Sequence, residues 1–577
     1  MSSAPPGFPS GIPIQQETFE NWSQGIKVKN LWTCTPQSEA DVVTVCNWAA
    51  GAGYQVRPRA IMHNWSPLTV TEGQSPANVL LVDMTQKLNS VISVTPASAG
   101  QPAQVKVQTG ATMLDLMTAM EVAQGGQGAA SGFSFAHIPA PGNITVGGAL
   151  AINAHGTAVQ TPPNDNFNIP YGTLSNLIVA FTAVVTDPSS TTPTQYVAKT
   201  FQRGQSDGND KAFLTHCGRA FLLEVTLQAT DNYNLQCQSM MDIVSATLFA
   251  PPATPNGPPP AGSVGDYLNK SGRVEVIWFP PLPTKAGGAV PVTYPWLKVW
   301  TVAAQQPPGS KAVSQPYNYA FSDNIPEWAS DILKLIMAGA PNLTPYFTSA
   351  MEMITKTALY IGNLTNLWGP SKNTLLYVKD STLRVTANGY VVLMKKAQVQ
   401  QAIADFTAEF VNTLVQFQNN GLYPINSPCE IRVTALDDPS LIVTPSGNPA
   451  ASPVISSLSV DPVVLENGWD VAVWFDILTT MLPNDSQQAF NYYTQIENWI
   501  EQRFGAGYRY MPEWSKGWAY TANGGPWTNQ QFLQYIRTTL TTGRPADDTW
   551  AWEVATLASY DASKLFFNPF LTTLFTS

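Results

Sequence analysis

Few side chains in this 577-residue chain have the type and setting to do chemistry, and they fall into two groups. The first is His63, one of four histidines, in the tract R-P-R-A-I-M-H-N-W-S-P at 57–67. A Tyr54-Gln55-Val56 run with β character breaks there into a loop at Pro58, and the imidazole is hemmed by Met62, Asn64 and Trp65. On these neighbours alone such a histidine is more often structural than chemical. The second group is Glu430 and Arg432. Period two on a strand puts both charges on one face, Cα atoms ~7 Å apart, with Ile431 and Val433 on the other. Either that face is solvated or it looks into a cavity, and Pro428-Cys429 with the apolar strands around favours the cavity. Glu275 alternates in the same way with Val274 and Val276, with Arg273 and Lys298 as candidate structural partners. Lys516 follows Glu513 by three; a surface ion pair of little value is the default reading.

A second tract, P-A-P-G-N-I-T-V-G-G-A-L-A-I-N-A-H-G-T at 139–157, holds Gly142, Gly147 and Gly148 and ends at His155-Gly156. Gly-Gly alone could be a turn. Beside the first tract it reads as a cradle in which Gly147 and Gly148 lend free backbone N–H groups to a bulky anion such as a pyrophosphate. No G-x-G-x-x-G follows the first strand, which argues against NAD.

Together the two tracts resemble the vanillyl-alcohol-oxidase superfamily of FAD enzymes. Within it, M-H-x-W-(S/T)-P, E-I-R-V-T-A-L-D at 430–437 and E-W-S-K-G-W-A-Y at 513–520 are similar to the bacterial type II, covalent-flavin cholesterol oxidases. The resemblance spans about Phe19 to Asn568. It implies an α+β, two-lobe fold: a PCMH-type FAD-binding lobe, and a substrate lobe with a large mixed sheet covered by helices. It implies FAD bonded covalently through His63. Cofactor contacts would come from Arg59, Ala60, Ile61, Met62, His63, Asn64, Trp65, Gly110, Pro141, Gly142, Thr145, Gly147, Gly148, Asn153, His155, Gly156, Val225 and Asn568. The implied reaction turns a 3β-hydroxysteroid into a 3-ketosteroid, reduces O2 to H2O2, and moves the double bond from Δ5 to Δ4. Glu430 would be base or proton shuttle, its pKa raised by an apolar setting, with Glu275 as reserve. Arg432 would stabilise the reduced flavin and, with Glu275, gate a path for O2; Lys516 would add a cation. One departure stands out: the superfamily loop reads R-G-x-G-H-S, whereas Ala60 and Met62 replace both glycines here. Two other readings remain open. One is an alcohol oxidase for sugars or aryl alcohols; the other is a flavin-loaded sterol-binding protein without turnover.

Composition narrows the partners. A net charge of −10 without basic clusters argues against nucleic acid or an anionic membrane. Only 12% of residues are charged, so neutral or apolar substrates are the natural guests. Five scattered cysteines without C-x-x-C read as buried small hydrophobes rather than disulfides or a metal site. No apolar run has the length of an integral membrane segment, although transient contact with a membrane surface to extract sterol fits the substrate. Met1-Ser2-Ser3-Ala4-Pro5-Pro6 is no signal peptide as written, yet the resemblance implies a secreted or periplasmic protein, read as a monomer. The sequons at Asn64 and Asn143 lie inside the two tracts and read as chance matches.

The elements needed to hold these groups are legible in outline. Ser38 and Asp41 cap a helix with Val42, Val45, Cys46 and Ala49 on one face, ending at Gly53. A strand at 105–108 leads into a second helix capped by Thr112 and Asp115, and apolar strands follow at 178–186 and 221–226. The first domain is set at 1–237. A substrate domain at 238–525 contains a Pro-rich linker at 251–260 and strands at 273–279, 296–300, 383–386, 390–394, 430–434 and 470–476. Helices at 402–418 and 486–504 alternate with these strands, and 526–577 returns to the first domain.

Overall fold

The helix expected after Ser38 forms over Glu39–Ala52: the Ser38 side chain accepts from the Asp41 N–H, and Gly53 ends it at φ 74°. The computed structural model describes residues 4–163, 165–319, 327–480 and 486–575; Met1–Ser3, where the chain start was read, lie outside them. Strands β1 (Ile14–Glu20), β2 (Lys27–Cys34), β3 (Gln55–Arg59) and β4 (Val79–Asp83) form a first sheet in the order β1-β2-β4-β3. Its buried face, with Val56, Leu80 and Val82, meets Val42, Val45, Cys46 and Ala49 of the helix.

A second sheet contains β5 (Val91–Thr95), β6 (Ala103–Gln108), β7 (Phe133–Ser134), β8 (Ile178–Thr186), β9 (Tyr196–Gln202) and β10 (Phe221–Asp231). Its order is β5-β6-β10-β8-β9, with β7 beside β10. The expected second helix, Met113–Val122, starts at a capping box between Thr112 and Asp115.

Asn232 and Tyr233 alone carry the chain from β10 into the third sheet, whose first strand is β11 (Asn234–Met240). It is followed by β12 (Arg273–Trp278), β13 (Trp296–Val302), β14 (Lys311–Ala312), β15 (Asn366–Pro370), β16 (Thr386–Met394), β17 (Cys429–Ala435), β18 (Val471–Thr479) and β19 (Arg509–Pro512). The nine strands run in the order β14-β15-β11-β13-β12-β17-β18-β16-β19. All pairs are antiparallel except β14 with β15, so the sheet is mixed at one edge only. The strand expected at 390–394 is part of a longer one, β16, whose Gly389 remains in register opposite Asp476, whereas of the strand expected at 383–386 only Thr386 belongs to it.

Alternation along β12 gives the sheet two sides. Val274, Val276 and Trp278 join the core formed with helices Val399–Asn419 and Ser486–Phe504, whereas Ile277 joins the core shared with the first lobe. Helices therefore cover one face, and the other face looks toward the first lobe. The Pro-rich stretch 251–260 lies within the second lobe, after the crossing. The return near the C-terminus is concentrated at 560–568. Leu565 and Phe566 enter the first lobe's core, Val56 N–H donates to Leu565 O (2.8 Å), and Asp561 pairs with Arg219 (3.1 Å). The final helix, Pro569–Phe575, packs again into the helix-covered core.

Candidate active site

The loop carrying His63 leaves the end of β3, and its base is fixed by two arginines. Arg57 is buried and donates to the carbonyls of Leu68 (2.6 Å), Gly218 (2.8 Å) and Thr69 (3.2 Å), and to that of Phe566. Arg59 faces Asp83 across the parallel pair β3/β4 and binds it at 2.6 Å. Met62 then adopts φ 62°, the left-handed conformation for which glycine is the ordinary residue. Its carbonyl accepts from Trp22 N–H (2.9 Å) and its side chain packs on the Phe19, Val28, Leu31 and Val70 core. The backbone path that the superfamily's second glycine suggests is thus kept by anchoring a methionine. Ala60, at the first glycine position, is not among the positive-φ residues.

The loop borders a cavity lined by Arg59 to Asn64, Gly110, Thr145, Gly147 and Gly148. The expectation that Gly147 and Gly148 offer free N–H groups is overturned. Gly147 N–H donates to Thr109 O (2.9 Å), and Gly148 N–H to the capping Thr145 hydroxyl (3.3 Å). The donors lie on the other wall: the N–H groups of Ile61, Met62 and His63 meet no acceptor among the described residues. Gly148 keeps room between helix and loop: a Cβ there would stand 3.0 Å from the Thr145 hydroxyl and reach out to 4.0 Å from the Cβ of Ala60. His216 accepts at Nδ1 from Gly218 and Ala220 N–H (3.2 Å each), so its Nε2 carries the proton; that atom is buried without a partner at the same cavity. A run of unsatisfied backbone donors, an orphaned imidazole N–H and a glycine-cleared gap fit a dinucleotide with a pyrophosphate. FAD would be held by these groups.

His63 also borders a second cavity of about 230 Å³. Burial pushes its imidazole down to about 4, so the ring is neutral, and it stacks on Trp22 (centroids 4.7 Å apart). Most of the second cavity's wall is apolar, including Ile138, Ile277, Phe279, Trp296, Trp300 and Leu478, with Pro141 and Trp65 also at its edge. Asn153, at φ 47°, has a buried Oδ1 without a partner beside Gly156 and His155. His155 stacks on Trp474 at 3.7 Å, and burial pushes it down to about 3.

One part of this wall is charged, and β12, β17 and β18 build it. Their register sets Arg432 opposite Glu275 and Glu430 opposite Asp476. Arg432 binds Glu275 at 2.7 Å, Glu430 at 2.5 Å and Asp476 at 2.9 Å. Lys516 binds Asp476 (2.8 Å) and Glu513 (3.4 Å), and Lys298 lies 3.6 Å from Glu275. Tyr377 donates its hydroxyl to Glu275. Trp65 and Ser66 N–H both donate to Ser515 O (3.0 Å), tying the flavin loop to the lysine's segment.

Glu430, Arg432, Glu275 and Lys516 therefore all line one cavity. Glu275, given the reserve role, is buried at the same wall beside Arg432. Burial opposes its charge, but Arg432, Lys298 and the Tyr377 hydroxyl prevail and hold the carboxyl below its usual range. Arg273, one of its candidate partners, instead pairs with Asp165, leaving Lys298 as the partner. Lys516 is buried rather than at the surface.

Three expected cofactor contacts fall elsewhere. Val225 is wholly buried opposite Val107 in β6 and reaches neither cavity. Gly142 gives room to the Tyr317 hydroxyl and reaches neither. Asn568 donates to the carbonyls of Pro67 (2.9 Å), Thr69 (3.2 Å) and Leu68 (3.3 Å), and its Oδ1 accepts from Leu571 N–H (2.7 Å). It fastens the strap behind the flavin loop. Sequence reasoning missed Asp476, Tyr377 and His216. Asp476 did carry a signal: a single charge in V-A-V-W-F-D-I-L-T must find partners once the strand is buried.

The five cysteines are all buried and free, and no group of three potential metal ligands occurs among the described residues. No helix described is long and apolar enough to cross a membrane.

Comparison with known proteins agrees with this layout. Residues 32–184 match the FAD binding domain model, and residues 234–576 match the model described as "Cholesterol oxidase, substrate-binding". Among solved structures, a solvent-stable cholesterol oxidase is 40% identical over 100% of both chains, with TM-score 0.88. Cholesterol oxidase from Brevibacterium sterolicum is 34% identical over 100% of this chain and 99% of its own, with TM-score 0.89. A histidine-to-alanine variant of the Brevibacterium sterolicum enzyme is 33% identical over the same shares, with TM-score 0.88. Curated proteins gave no match. With more than half its length in the substrate-binding model and whole-chain relatives above 30% identity, the chain belongs to the cholesterol oxidase family.

Proposed function

We infer that this flavin-dependent cholesterol oxidase binds its FAD covalently through His63, oxidises the 3β-hydroxyl of a sterol at the charged wall and also moves the ring double bond. The observation that carries the reading is His63 itself, which borders both cavities, with Glu430 and Arg432 at the wall of the second. Bound FAD would supply hydride acceptance from the carbinol carbon and two-electron reduction of O2 to H2O2. The chain's own groups do the rest. The neutral imidazole of His63 has a lone pair free for bonding. Glu430, at the cavity, takes the hydroxyl proton and then shuttles a proton along the ring edge. Arg432 and Lys516 supply fixed positive charge where the reduced ring and oxygen develop negative charge.

The apolar remainder of the wall favours a steroid over a sugar, whose hydroxyls would need many convergent polar side chains. Anaerobic mixing with cholesterol distinguishes catalysis from mere binding: bleaching of the flavin band is expected, and a spectral perturbation without bleaching would leave only a sterol-binding protein. His63→Ala tests the covalent bond. Acid-precipitated wild-type protein is expected to stay yellow and the variant to lose its colour; a colourless wild-type pellet would exclude the bond.

A further inference from the structure

His63 is clasped by segments remote from it in sequence. Between β1 and β2 the chain turns at Asn21 and Trp22, and Asn21 is wholly buried. The Asn21 side chain accepts from Ile26 N–H (2.9 Å), which closes its own turn, and donates to the carbonyls of Asn64 (2.9 Å) and Trp65 (3.5 Å). Trp22 N–H donates to Met62 O (2.9 Å). Backbone carbonyls on both sides of the histidine are thereby held by one short turn.

The imidazole itself lies between two indoles. Trp22 stacks on it with the ring planes only 12° apart, and Trp65 meets it edge-on at 83°. Each indole is tied to the same segment of the second lobe: Trp22 Nε1 donates to Asp380 O (3.0 Å), and Trp65 Nε1 to Val385 O (2.7 Å). That segment also borders the sterol cavity, through Thr382, Leu383 and Val385. A histidine that must present one ring nitrogen is ordinarily turned by a hydrogen bond at the other. No described residue bonds to either ring nitrogen of His63. The indoles set its orientation instead, because stacked rings have a preferred geometry.

We propose that Trp22, held to the sterol lobe through its indole N–H, is the positioning residue that fixes the His63 ring plane for bond formation with FAD. The proposal rests on the covalent reading of His63. In that reaction an imidazole nitrogen joins the flavin 8α carbon. One hydrogen leaves that carbon and one leaves the imidazole as protons, two electrons reduce the flavin, and O2 takes both electrons and both protons as H2O2. Trp22 exchanges nothing in this step, so its contribution is geometric. A ring free to turn away should bond about 10–100-fold more slowly.

The full-length chain, produced in a riboflavin-limited host, is mixed in air with saturating FAD, and acid-stable flavin is followed with time. At saturation the limiting rate reports bond formation rather than affinity, which a flavin-fluorescence titration measures separately. Trp22→Leu keeps apolar bulk without a ring and should lower the limiting rate by about 10–100-fold. Trp22→Phe keeps a stacking face and should recover most of that loss. Melting temperatures check both variants, and Trp22→Met serves if the leucine variant does not fold. A leucine variant that reaches the wild-type limiting rate overturns the proposal, as does a phenylalanine variant as slow as leucine. Wild-type protein that binds FAD yet gives a colourless acid pellet removes the covalent reading and this proposal with it. A yellow wild-type pellet beside an equally fast Trp22→Leu strikes this proposal alone.

Discussion

The two cavities that share His63 recognise their guests by opposite means. The flavin side offers backbone N–H groups, glycine-cleared space and neutral imidazoles, with His63 and His216 pushed down to about 4 and about 3 by burial. The sterol side carries a knot of seven charged side chains: Arg432, Lys298 and Lys516 against Glu275, Glu430, Asp476 and Glu513. A tightly held cofactor can be met by rigid dipoles. A reaction that moves a proton and a hydride needs charges whose balance can change, and these come from separate strands. With four carboxylates against three cations, one proton could be shared in the knot, and Asp476 is placed to hold it. Burial, with Glu513 behind it, raises its carboxyl to about 6, although Lys516 and Arg432 pull the other way.

Removing the centre of the knot should cause the largest effect. Arg432→Ala leaves three carboxylates facing one another and is expected to cost about 3–5 kcal/mol of stability. Loss of a cation near the reacting atoms should also lower kcat by about 10²–10³-fold. Thermal unfolding and stopped-flow measurement of each half-reaction read the two effects separately. Unaltered reoxidation by O2 would confine Arg432 to the sterol side. Glu430→Gln preserves shape but cannot take a proton, so oxidation or enone formation should slow by about 10²-fold, with sterol affinity little changed. A variant that turns over normally would remove Glu430 from the mechanism.

On the flavin side the expected effects are structural. Asn568→Ala frees three strap carbonyls and the start of the last helix, costing about 1–3 kcal/mol while leaving kcat of the flavin-loaded enzyme within about 2-fold. A melting curve with assayed flavin content checks this, and a large kcat loss would show direct cofactor contact after all. The smallest effect sharpens the contrast through pH. Asp476 is raised in the fold, so the unfolded chain loses its proton first, near the ordinary 3.8. The fold therefore loses stability as pH rises from there to about 6, and the difference is level above that. Asp476→Asn should flatten that part of the stability profile; an unchanged slope would mean that Asp476 is ionised throughout.

What could be read from the sequence follows the same division. The flavin loop is contiguous, so its residues announced themselves together, and the caps at Ser38 and Thr112 fixed their helices because capping is local chemistry. Glu430 and Arg432 were found because they share one strand. Asp476 and Tyr377 join them only through register and tertiary packing, which no local spacing reports. Gly147 and Gly148 misled because a glycine pair suggests open N–H groups, whereas here Gly148 N–H serves the cap of the short helix Val146–Ala151 and Gly147 N–H bonds to the Thr109 carbonyl. Helix Thr344–Ile361 escaped notice because its apolar residues lie on the exposed face and its threonines on the buried one.

The placement of Arg432 also sets the time scale of any gate. Its strand β17 lies between β12 and β18, well inside the nine-stranded sheet, with hydrogen-bonded neighbours on both sides. Amides of Ile431 and Val433 should exchange with solvent only when the whole lobe opens. The guanidinium can rotate about its own χ angles far sooner than that. An opening made by Arg432 would then be a torsional event, silent in hydrogen exchange, and a covalent staple between β12 and β17 would leave its rate untouched.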